Sequence, residues 1–203
     1  MRSRQRTVLT AFMLVMLLGI TEGVARAEQT IVFFRHGEKP TGGYGQLTCQ
    51  GLNRALALPS VLISRFGKPD FLYAPNPNVK ITDQAGSFYY VRPLATLEPT
   101  AIRVGKSVNT KYGYTEIAGL QTLLITPVKA NTTIFVAWEH LQLQRLVQTI
   151  MNSYGGGAVV PAWPSTDYDS LYVVHVDYVG STISATFDHQ QEGLNNQLTT
   201  CPD

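Results

Sequence analysis

Short, continuously apolar runs alternate with polar and glycine-rich segments along this chain of 203 residues. The runs at 31–34 (Ile-Val-Phe-Phe) and 133–138 (Thr-Ile-Phe-Val-Ala-Trp) are rich in β-branched and aromatic residues. Such runs are typical of strands that are buried on both faces of a parallel sheet. A shorter run at 70–74 predicts a further strand, and a proline- and asparagine-rich loop follows it.

Helical spacing of apolar residues appears in three segments, at 48 to about 66, about 93 to 108, and 141 to about 154. Thr48 is well placed to cap the first helix, and Pro59 is expected to disturb it or to kink it. Pro93 suits the first turn of the second helix. The stretch 114–127 fits either a strand or a short helix.

The C-terminal segments 171–179 and 182–187 alternate in polarity around Gly180-Ser181. This pattern predicts an antiparallel hairpin with a type II′ turn. Strands that alternate with helices indicate an α/β protein. We therefore predict a three-layer α/β/α sandwich, with a mostly parallel central sheet and an antiparallel C-terminal hairpin, formed by a single domain.

Residues 1–27 have the pattern of a cleavable secretory signal peptide. The pattern consists of an arginine-rich start, an apolar stretch and an A-x-A cleavage site, at Arg2 to Arg6, Val8 to Ile20 and Ala25-Arg26-Ala27. The apolar stretch is shorter than the ~20 residues that a membrane span needs. We therefore expect a secreted or periplasmic domain over 28–203, with no stable membrane insertion after cleavage.

The charge balance changes when the signal segment is set aside. The whole chain has a formal net charge of +2, but 12 of its 16 basic and 13 of its 14 acidic residues lie after residue 27. The remaining domain is therefore close to neutral. Because nucleic-acid binding needs a basic surface, we do not expect a nucleic-acid partner.

Two cysteines, Cys49 and Cys201, remain in the predicted mature chain. In an oxidising compartment a disulfide is the first interpretation of such a pair, and two free buried thiols are the alternative. A disulfide would attach the C-terminal tail to the first helix. The spacing of the two cysteines offers no metal site.

Candidate chemistry lies directly after the first buried strand, in Arg35-His36-Gly37-Glu38. A neutral imidazole is a good nucleophile, and a neighbouring guanidinium can bind phosphate and lower the pKa of the histidine. Glycine at position 37 lets the backbone approach a bound anion. The alternative is an ordinary surface turn after a strand.

A second histidine and a second arginine fit the same chemistry. The run at 133–138 ends at Glu139-His140, so two strands each deliver a histidine at their carboxyl ends, where open α/β sheets bind ligands. Arg92 stands at the start of the second predicted helix, where it could contribute to an anion site.

Together these motifs resemble the histidine phosphatase superfamily, which includes the cofactor-dependent phosphoglycerate mutases. The resemblance rests on four motifs in the family's order, namely Arg35-His36-Gly37-Glu38, Leu47-Thr48-x-x-Gly51-x-x-x-Ala55, Arg92 with Thr96, and the strand that ends at His140. The short interval between Arg92 and His140 is more similar to the small phosphohistidine phosphatases than to the large phytase and acid-phosphatase branch.

The resemblance implies that His36 attacks phosphorus and becomes a phosphohistidine, while Arg35, Arg92 and His140 hold the phosphoryl oxygens. Two arginines and a second imidazole can supply the positive charge, and the sequence shows no metal-ligand cluster, so we expect neither a metal nor another cofactor. Family members usually supply a carboxyl group that protonates the leaving oxygen. Leu141 follows His140 here, so an acid directly after that histidine is absent. Glu116 and Glu139 remain as alternative acids, and it is also possible that neither serves.

The sequence thus predicts a phosphatase that hydrolyses a phosphomonoester or a phosphoramidate, carried by a small molecule or by a phosphoprotein. Two alternatives stay open. One is a non-catalytic protein that keeps the anion pocket but lacks a working acid. The other is a structural envelope protein without phosphate affinity. Glu38 is expected either to take part in the chemistry or to bond backbone amides of its loop.

Overall fold

The computed structural model describes residues 26–203. The predicted signal peptide lies outside this part of the chain, except for Arg26 and Ala27, which begin the first strand. In chain order the elements are β1 (Arg26–Arg35), α1 (Cys49–Phe66), β2 (Phe71–Tyr73), β3 (Lys80–Asp83), β4 (Gly86–Tyr89), α2 (Arg92–Val104), α3 (Ile117–Leu124), β5 (Thr132–Trp138), α4 (His140–Tyr154), β6 (Ser170–Val179) and β7 (Thr182–Gln191).

Five strands form the central sheet, in the order β2-β5-β1-β6-β7. Strands β2, β5 and β1 are parallel to one another, whereas β6 is antiparallel to β1 and β7 is antiparallel to β6. Four of the five strands therefore point in the same direction. The predicted fold class, a mostly parallel sheet with an antiparallel C-terminal hairpin, is confirmed.

Side chains alternate between two cores along β1. Ile31 and Phe33 pack with residues of α3 and α4, whereas Val32 and Phe34 pack with residues of α1 and α2. All four side chains are fully buried. The sheet is thus covered by helices on both faces, which gives the predicted three layers and explains why the strand is continuously apolar.

Helix α1 begins where its sequence predicts. The Thr48 side chain accepts a hydrogen bond from the Gly51 N–H, and the helix continues through Pro59 without interruption. Helix α2 ends at Val104, four residues earlier than predicted, because Gly105 adopts a left-handed conformation with a φ of 67°. The ambiguous stretch 114–127 contains the short helix α3.

The hairpin of β3 and β4 is not predicted by the sequence and lies in a segment that we expect to be a loop. Its strands have four residues each and pair in a separate two-stranded sheet. Few residues of these strands are shielded from solvent, namely Ile81 and Asp83 in β3 and Phe88 in β4. Such short, half-exposed strands leave little apolar periodicity in a sequence.

Cys49 and Cys201 form the expected disulfide, across a sequence separation of 152 residues. It joins the first residue of α1 to the C-terminal tail. Asn53, one turn further along α1, donates hydrogen bonds to the carbonyl groups of Leu198 and Thr200 in the same tail, both at 2.8 Å. Within residues 26–203, no helix is long and apolar enough to cross a membrane.

Candidate active site

The carboxyl ends of β1 and β5 bring the two candidate histidines to one edge of the sheet. The two strands are in register up to the pair Arg35 and Trp138. The His36 N–H continues the ladder by donating to the Trp138 carbonyl at 3.2 Å. His36 and His140 therefore leave neighbouring strands at the same level, as the sequence predicts.

A cavity of about 280 Å³ lies at this edge. It is lined by Arg35, His36, Lys39, Ile81, Thr82, Asp83, Arg92, Tyr114, Glu139, His140, Leu141 and Gln142. A larger surface depression, of about 440 Å³, lies near Asp70 and Lys106, but neither histidine borders it. The smaller cavity is the candidate active site, because it collects both histidines and both arginines.

His36 is held as a neutral imidazole. It is almost completely buried, and its Nδ1 lies 2.7 Å from the carbonyl oxygen of Gly37. A carbonyl can only accept, so Nδ1 carries the proton and Nε2 keeps a free lone pair. Burial, together with the nearby charges of Arg92 and Arg35, holds the pKa of His36 well below its usual range. A neutral ring of this tautomer is suited to nucleophilic attack.

Arg35 is fixed by the loop before β6. Its Nη1 donates to the carbonyl oxygens of Ser165 and Asp167, at 2.7 and 2.9 Å. Its guanidinium carbon lies 3.8 Å from the centre of the Tyr168 ring, within the distance of a cation–π contact. These contacts use one end of the guanidinium, while the buried Nε has no hydrogen-bond partner in the described chain.

Arg92 is bound by a carboxylate that the sequence analysis did not single out, Asp83. The two guanidinium nitrogens Nη1 and Nη2 lie 2.6 and 3.3 Å from the Asp83 oxygens, and both side chains are nearly completely buried. Asp83 also accepts from the Gly45 N–H and lies 3.3 Å from the Lys39 Nζ. Burial alone would raise the pKa of Asp83, but the Arg92 and Gly45 hydrogen bonds lower it, so the carboxylate stays ionised.

Glu139 and His140 form a pair at the start of α4. The Nδ1 atom of His140 lies 2.6 Å from Oε1 of Glu139, and the Gln142 N–H donates to Oε2. Burial by itself would raise the pKa of Glu139, but the His140 and backbone hydrogen bonds lower it. Glu139 lines the cavity, but as an ionised helix cap it is a poor source of a proton.

Glu116, the other candidate acid, does not line the cavity. It is exposed at the start of α3, and its carboxylate accepts a hydrogen bond from the Gly113 N–H at 2.6 Å. The structure therefore gives Glu116 a local role in its loop and brings only Glu139 to the histidines.

Glu38 takes neither of its two expected roles. Its carboxylate accepts from Nε and Nη2 of the buried Arg54, at distances of 2.8–3.1 Å. It therefore bonds neither to loop amides nor to the cavity. The prediction is corrected to a side-chain ion pair, for which the buried arginine in α1 gave no clear sequence signal.

Two glycines let the loop after β1 pack against the start of α1. A Cβ atom at Gly37 would lie 2.7 Å from the Gly51 carbonyl oxygen, and one at Gly51 would lie 2.5 Å from the Glu38 carbonyl oxygen. The Gly37 N–H donates to Oγ1 of the buried Thr96 at 2.9 Å. Gly37 thus serves a close backbone contact with α1, in addition to any approach of an anion.

The described site has the properties of an anion pocket. Nε of Arg35 and Nε of Arg92 are both buried donors without a partner, although a buried donor normally has one. Both guanidinium groups lie near the neutral His36, as their effect on its pKa shows. The oxygens of an anion bound beside His36 would supply the missing acceptors. A phosphoryl group has oxygens of this kind.

Comparison with known proteins identifies the fold. No family model matches the sequence, and no curated protein matches it. Solved structures of similar fold are numerous. A phosphoglycerate mutase from Plasmodium falciparum aligns with 85% of this chain and 94% of its own, at 10% identity and a TM-score of 0.52.

Two further structures are phosphatases in complex with oxyanions. A mycobacterial glucosyl-3-phosphoglycerate phosphatase with inorganic phosphate covers 78% of this chain and 95% of its own, at 12% identity and a TM-score of 0.53. The protein histidine phosphatase SixA, complexed with tungstate, covers 80% and 97%, at 15% identity and a TM-score of 0.54. The chain thus shares its fold with a phosphoglycerate mutase and with these phosphatases, as the motif resemblance implied.

Proposed function

We propose that this protein is a secreted or periplasmic phosphatase that acts through a phosphohistidine on His36. The observation that carries the proposal is a buried, neutral histidine beside two buried guanidinium groups with unpartnered donors. Phosphoryl transfer needs positioning and positive charge around the phosphoryl oxygens more than any covalent help. Arg35 and Arg92 supply that charge from the protein itself.

In the proposed reaction, Nε2 of His36 forms a bond to phosphorus while the bond from phosphorus to the leaving oxygen or nitrogen breaks. The leaving group departs with the electron pair and takes up a proton. Arg35, Arg92 and His140 bind the phosphoryl oxygens during this transfer. Water then attacks the phosphohistidine, which releases inorganic phosphate and restores the neutral ring.

The two pocket carboxylates bear on the substrate class. Hydrogen bonds hold the pKa of both Asp83 and Glu139 below their usual values, so neither is a ready proton donor near neutral pH. Substrates whose leaving groups depart without a strong acid fit this site best. We propose an acidic phosphomonoester or a phosphoramidate such as phosphohistidine, on a small molecule or a protein.

The proposed location outside the cytoplasm rests on the signal-like pattern of residues 1–27. It is compatible with the disulfide between Cys49 and Cys201, since such bonds persist in oxidising compartments. Fractionation of cells that express the full chain tests this part of the proposal. Recovery of an uncleaved chain in the cytoplasm would contradict it.

A second candidate is a protein that binds a phosphorylated ligand without turning it over. Two features favour it: Asp83 already occupies the Nη atoms of Arg92, and the carboxylates that line the cavity are held ionised. Such a protein would bind phosphate in the same pocket but would form no covalent intermediate.

Hydrolysis of p-nitrophenyl phosphate by the folded chain, with a chelator present, separates these functions. Turnover that disappears in His36→Ala supports the phosphatase. Phosphate-dependent thermal stabilisation without turnover supports the binding protein. The absence of both would overturn both candidates and would favour a structural role.

A further inference from the structure

Tyr90 lies between β4 and α2, two residues before Arg92, and is completely buried. Its N–H donates to the Pro77 carbonyl at 3.1 Å, and the next N–H, of Val91, donates to the Gly45 carbonyl at 3.1 Å. These bonds fix the backbone, so the position of the ring does not depend on its own hydroxyl group.

The Arg92 guanidinium lies close enough to the Tyr90 hydroxyl to lower its pKa, but the hydroxyl oxygen makes no hydrogen bond of acceptable geometry in the described chain. Two other buried tyrosines behave differently. The hydroxyl groups of Tyr172 and Tyr178 donate to the carbonyl oxygens of Pro161 and Ile125, both at 2.7 Å. A buried hydroxyl without a partner is costly, so its retention next to a candidate site needs an explanation.

The surroundings of Tyr90 belong to the candidate site. Its ring stands edge-on to His36, with 6.1 Å between ring centres, and the Arg92 guanidinium carbon lies 4.9 Å from its centre. The charges of Arg92, Glu139 and Arg35 all act on the hydroxyl, and each of these residues lines the cavity. Burial raises the pKa of Tyr90, so the group stays protonated and remains a donor.

Three buried donors without partners in the described chain therefore lie near His36. They are Nε of Arg35 at the end of β1, the hydroxyl of Tyr90 before α2, and Nε of Arg92 in α2. We propose that the Tyr90 hydroxyl donates a hydrogen bond to a phosphoryl oxygen of the bound substrate, together with the two guanidinium groups. This inference rests on the proposed function, because it assigns a further phosphoryl-binding residue to the same site.

The test compares Tyr90→Phe with Tyr178→Phe in the full chain. Both changes remove only a buried hydroxyl, but Tyr178 has a hydrogen-bond partner and packs in the core formed with α3 and α4. Three quantities are measured: the melting temperature of the free protein, the affinity for vanadate and for inorganic phosphate, and kcat and KM for p-nitrophenyl phosphate.

We expect Tyr90→Phe to melt at or above the temperature of the wild type, because it loses an unpartnered polar group. Its affinity for vanadate and its kcat/KM should fall by about 10- to 100-fold, the range for a hydrogen bond to a charged oxygen. Tyr178→Phe should melt at a lower temperature and keep both the affinity and the kinetics. If Tyr90 had only a structural role, Tyr90→Phe would lower the melting temperature and leave the affinity and the kinetics unchanged.

Unchanged affinity and kinetics in Tyr90→Phe would overturn this assignment and leave the phosphatase proposal intact. A melting temperature as low as that of Tyr178→Phe would also overturn it. If the wild type shows no turnover, the phosphatase proposal fails by itself. In that case, weaker phosphate binding by Tyr90→Phe still supports the assignment, and equal binding, or none by either protein, overturns it.

Discussion

Asp83 determines how Arg92 is presented to the pocket. Its carboxylate binds both Nη atoms and leaves Nε without a partner, and it also places a negative charge where an anionic substrate would bind. The ion pair therefore fixes the position of the Arg92 side chain and at the same time weakens the binding of an anion. Substitutions that remove the charge alone, or the whole group, separate the two effects.

We expect Asp83→Asn to bind inorganic phosphate several-fold more tightly than the wild type, because the charge is lost while one acceptor oxygen remains. Asp83→Ala leaves the buried Arg92 without a counter-ion, so its free energy of unfolding should fall by about 3 kcal/mol. Competitive inhibition by phosphate and urea unfolding measure these effects. Equal stability of the two variants would contradict the structural half of this prediction.

Glu139 and Glu116 offer a matched pair, since each carboxylate directly precedes a helix and accepts a hydrogen bond from a backbone N–H, but only Glu139 contacts a histidine. We expect Glu139→Gln to lower kcat/KM about tenfold through loss of the charge that orients His140. Glu116→Gln should keep the wild-type value. The loss should be similar for good and poor leaving groups, because Glu139 is not expected to donate a proton; a loss confined to poor leaving groups would show that it does.

At the scale of elements, the start of α1 supports the loop that carries His36. An added Cβ at Gly51 would lie 2.5 Å from the carbonyl oxygen of Glu38. Because this contact is with backbone, the loop itself would have to shift. We expect Gly51→Ala to reduce kcat/KM by at least about tenfold, since small displacements of catalytic groups have large effects on rate.

A suitable control for this change is Gly119→Ala. Its added Cβ would meet the ring of Tyr112 at 2.6 Å, which is a side-chain contact and not a backbone contact. Gly119 lies in α3, away from the loop after β1. If both alanine variants retain full activity and stability, the close packing of Gly37 on Gly51 is not required for the site.

The elements that follow a strong local signal were predictable, and the others were not. Thr48 caps α1 as its residue type suggests, and the apolar run of β5 is a buried strand. The early end of α2 at Gly105 was readable in principle, because glycine commonly takes the left-handed conformation after a helix. The β3–β4 hairpin gave no comparable signal, and for that reason Asp83 was absent from the predicted site.

The site itself was predictable only as far as its residues follow strand ends or motifs. His36, His140 and Arg35 stand at the ends of two buried strands, so sheet topology alone brings them together. The partners of Arg92 and Glu38, namely Asp83 and Arg54, depend on side-chain contacts between different elements. Such contacts leave no periodicity in the sequence, and the choice between Glu116 and Glu139 could therefore not be made from it.

For the whole molecule, Arg54 joins four distant segments. This buried guanidinium in α1 contacts Glu38 after β1, Asp169 before β6 and Glu192 after β7. One positive charge faces three carboxyl groups. Burial raises the pKa of Glu192 to about 8, although the charge of Arg54 acts in the opposite direction. The Oε1 atom of Glu192 has no hydrogen-bond partner in the described chain.

This arrangement predicts a stability that falls as the pH rises. Below about pH 4.5 Glu192 is protonated in both the folded and the unfolded chain. Between about 4.5 and about 8 only the unfolded chain loses the proton, so the free energy of unfolding decreases by on the order of 1 kcal/mol per pH unit. Below about pH 6.5 the neutral His36 has the opposite effect, because its pKa is held below the ordinary value of 6.5. Urea unfolding between about pH 6.5 and 8 should therefore show the slope in the wild type, a weaker slope in Glu192→Gln, and the full slope in Glu98→Gln, which changes an exposed residue. Identical slopes in all three would refute the assignment.

The central claim is that His36 carries the phosphoryl group during turnover. The most direct measurement is rapid quenching of the full chain with p-nitrophenyl phosphate into alkali, where phosphohistidine survives, followed by mass spectrometry of the peptide that contains residue 36. The account predicts one phosphoryl group on His36, with turnover that does not require added metal. A protein that hydrolyses the substrate with no phosphoryl group at His36, or with full activity in His36→Ala, would contradict it.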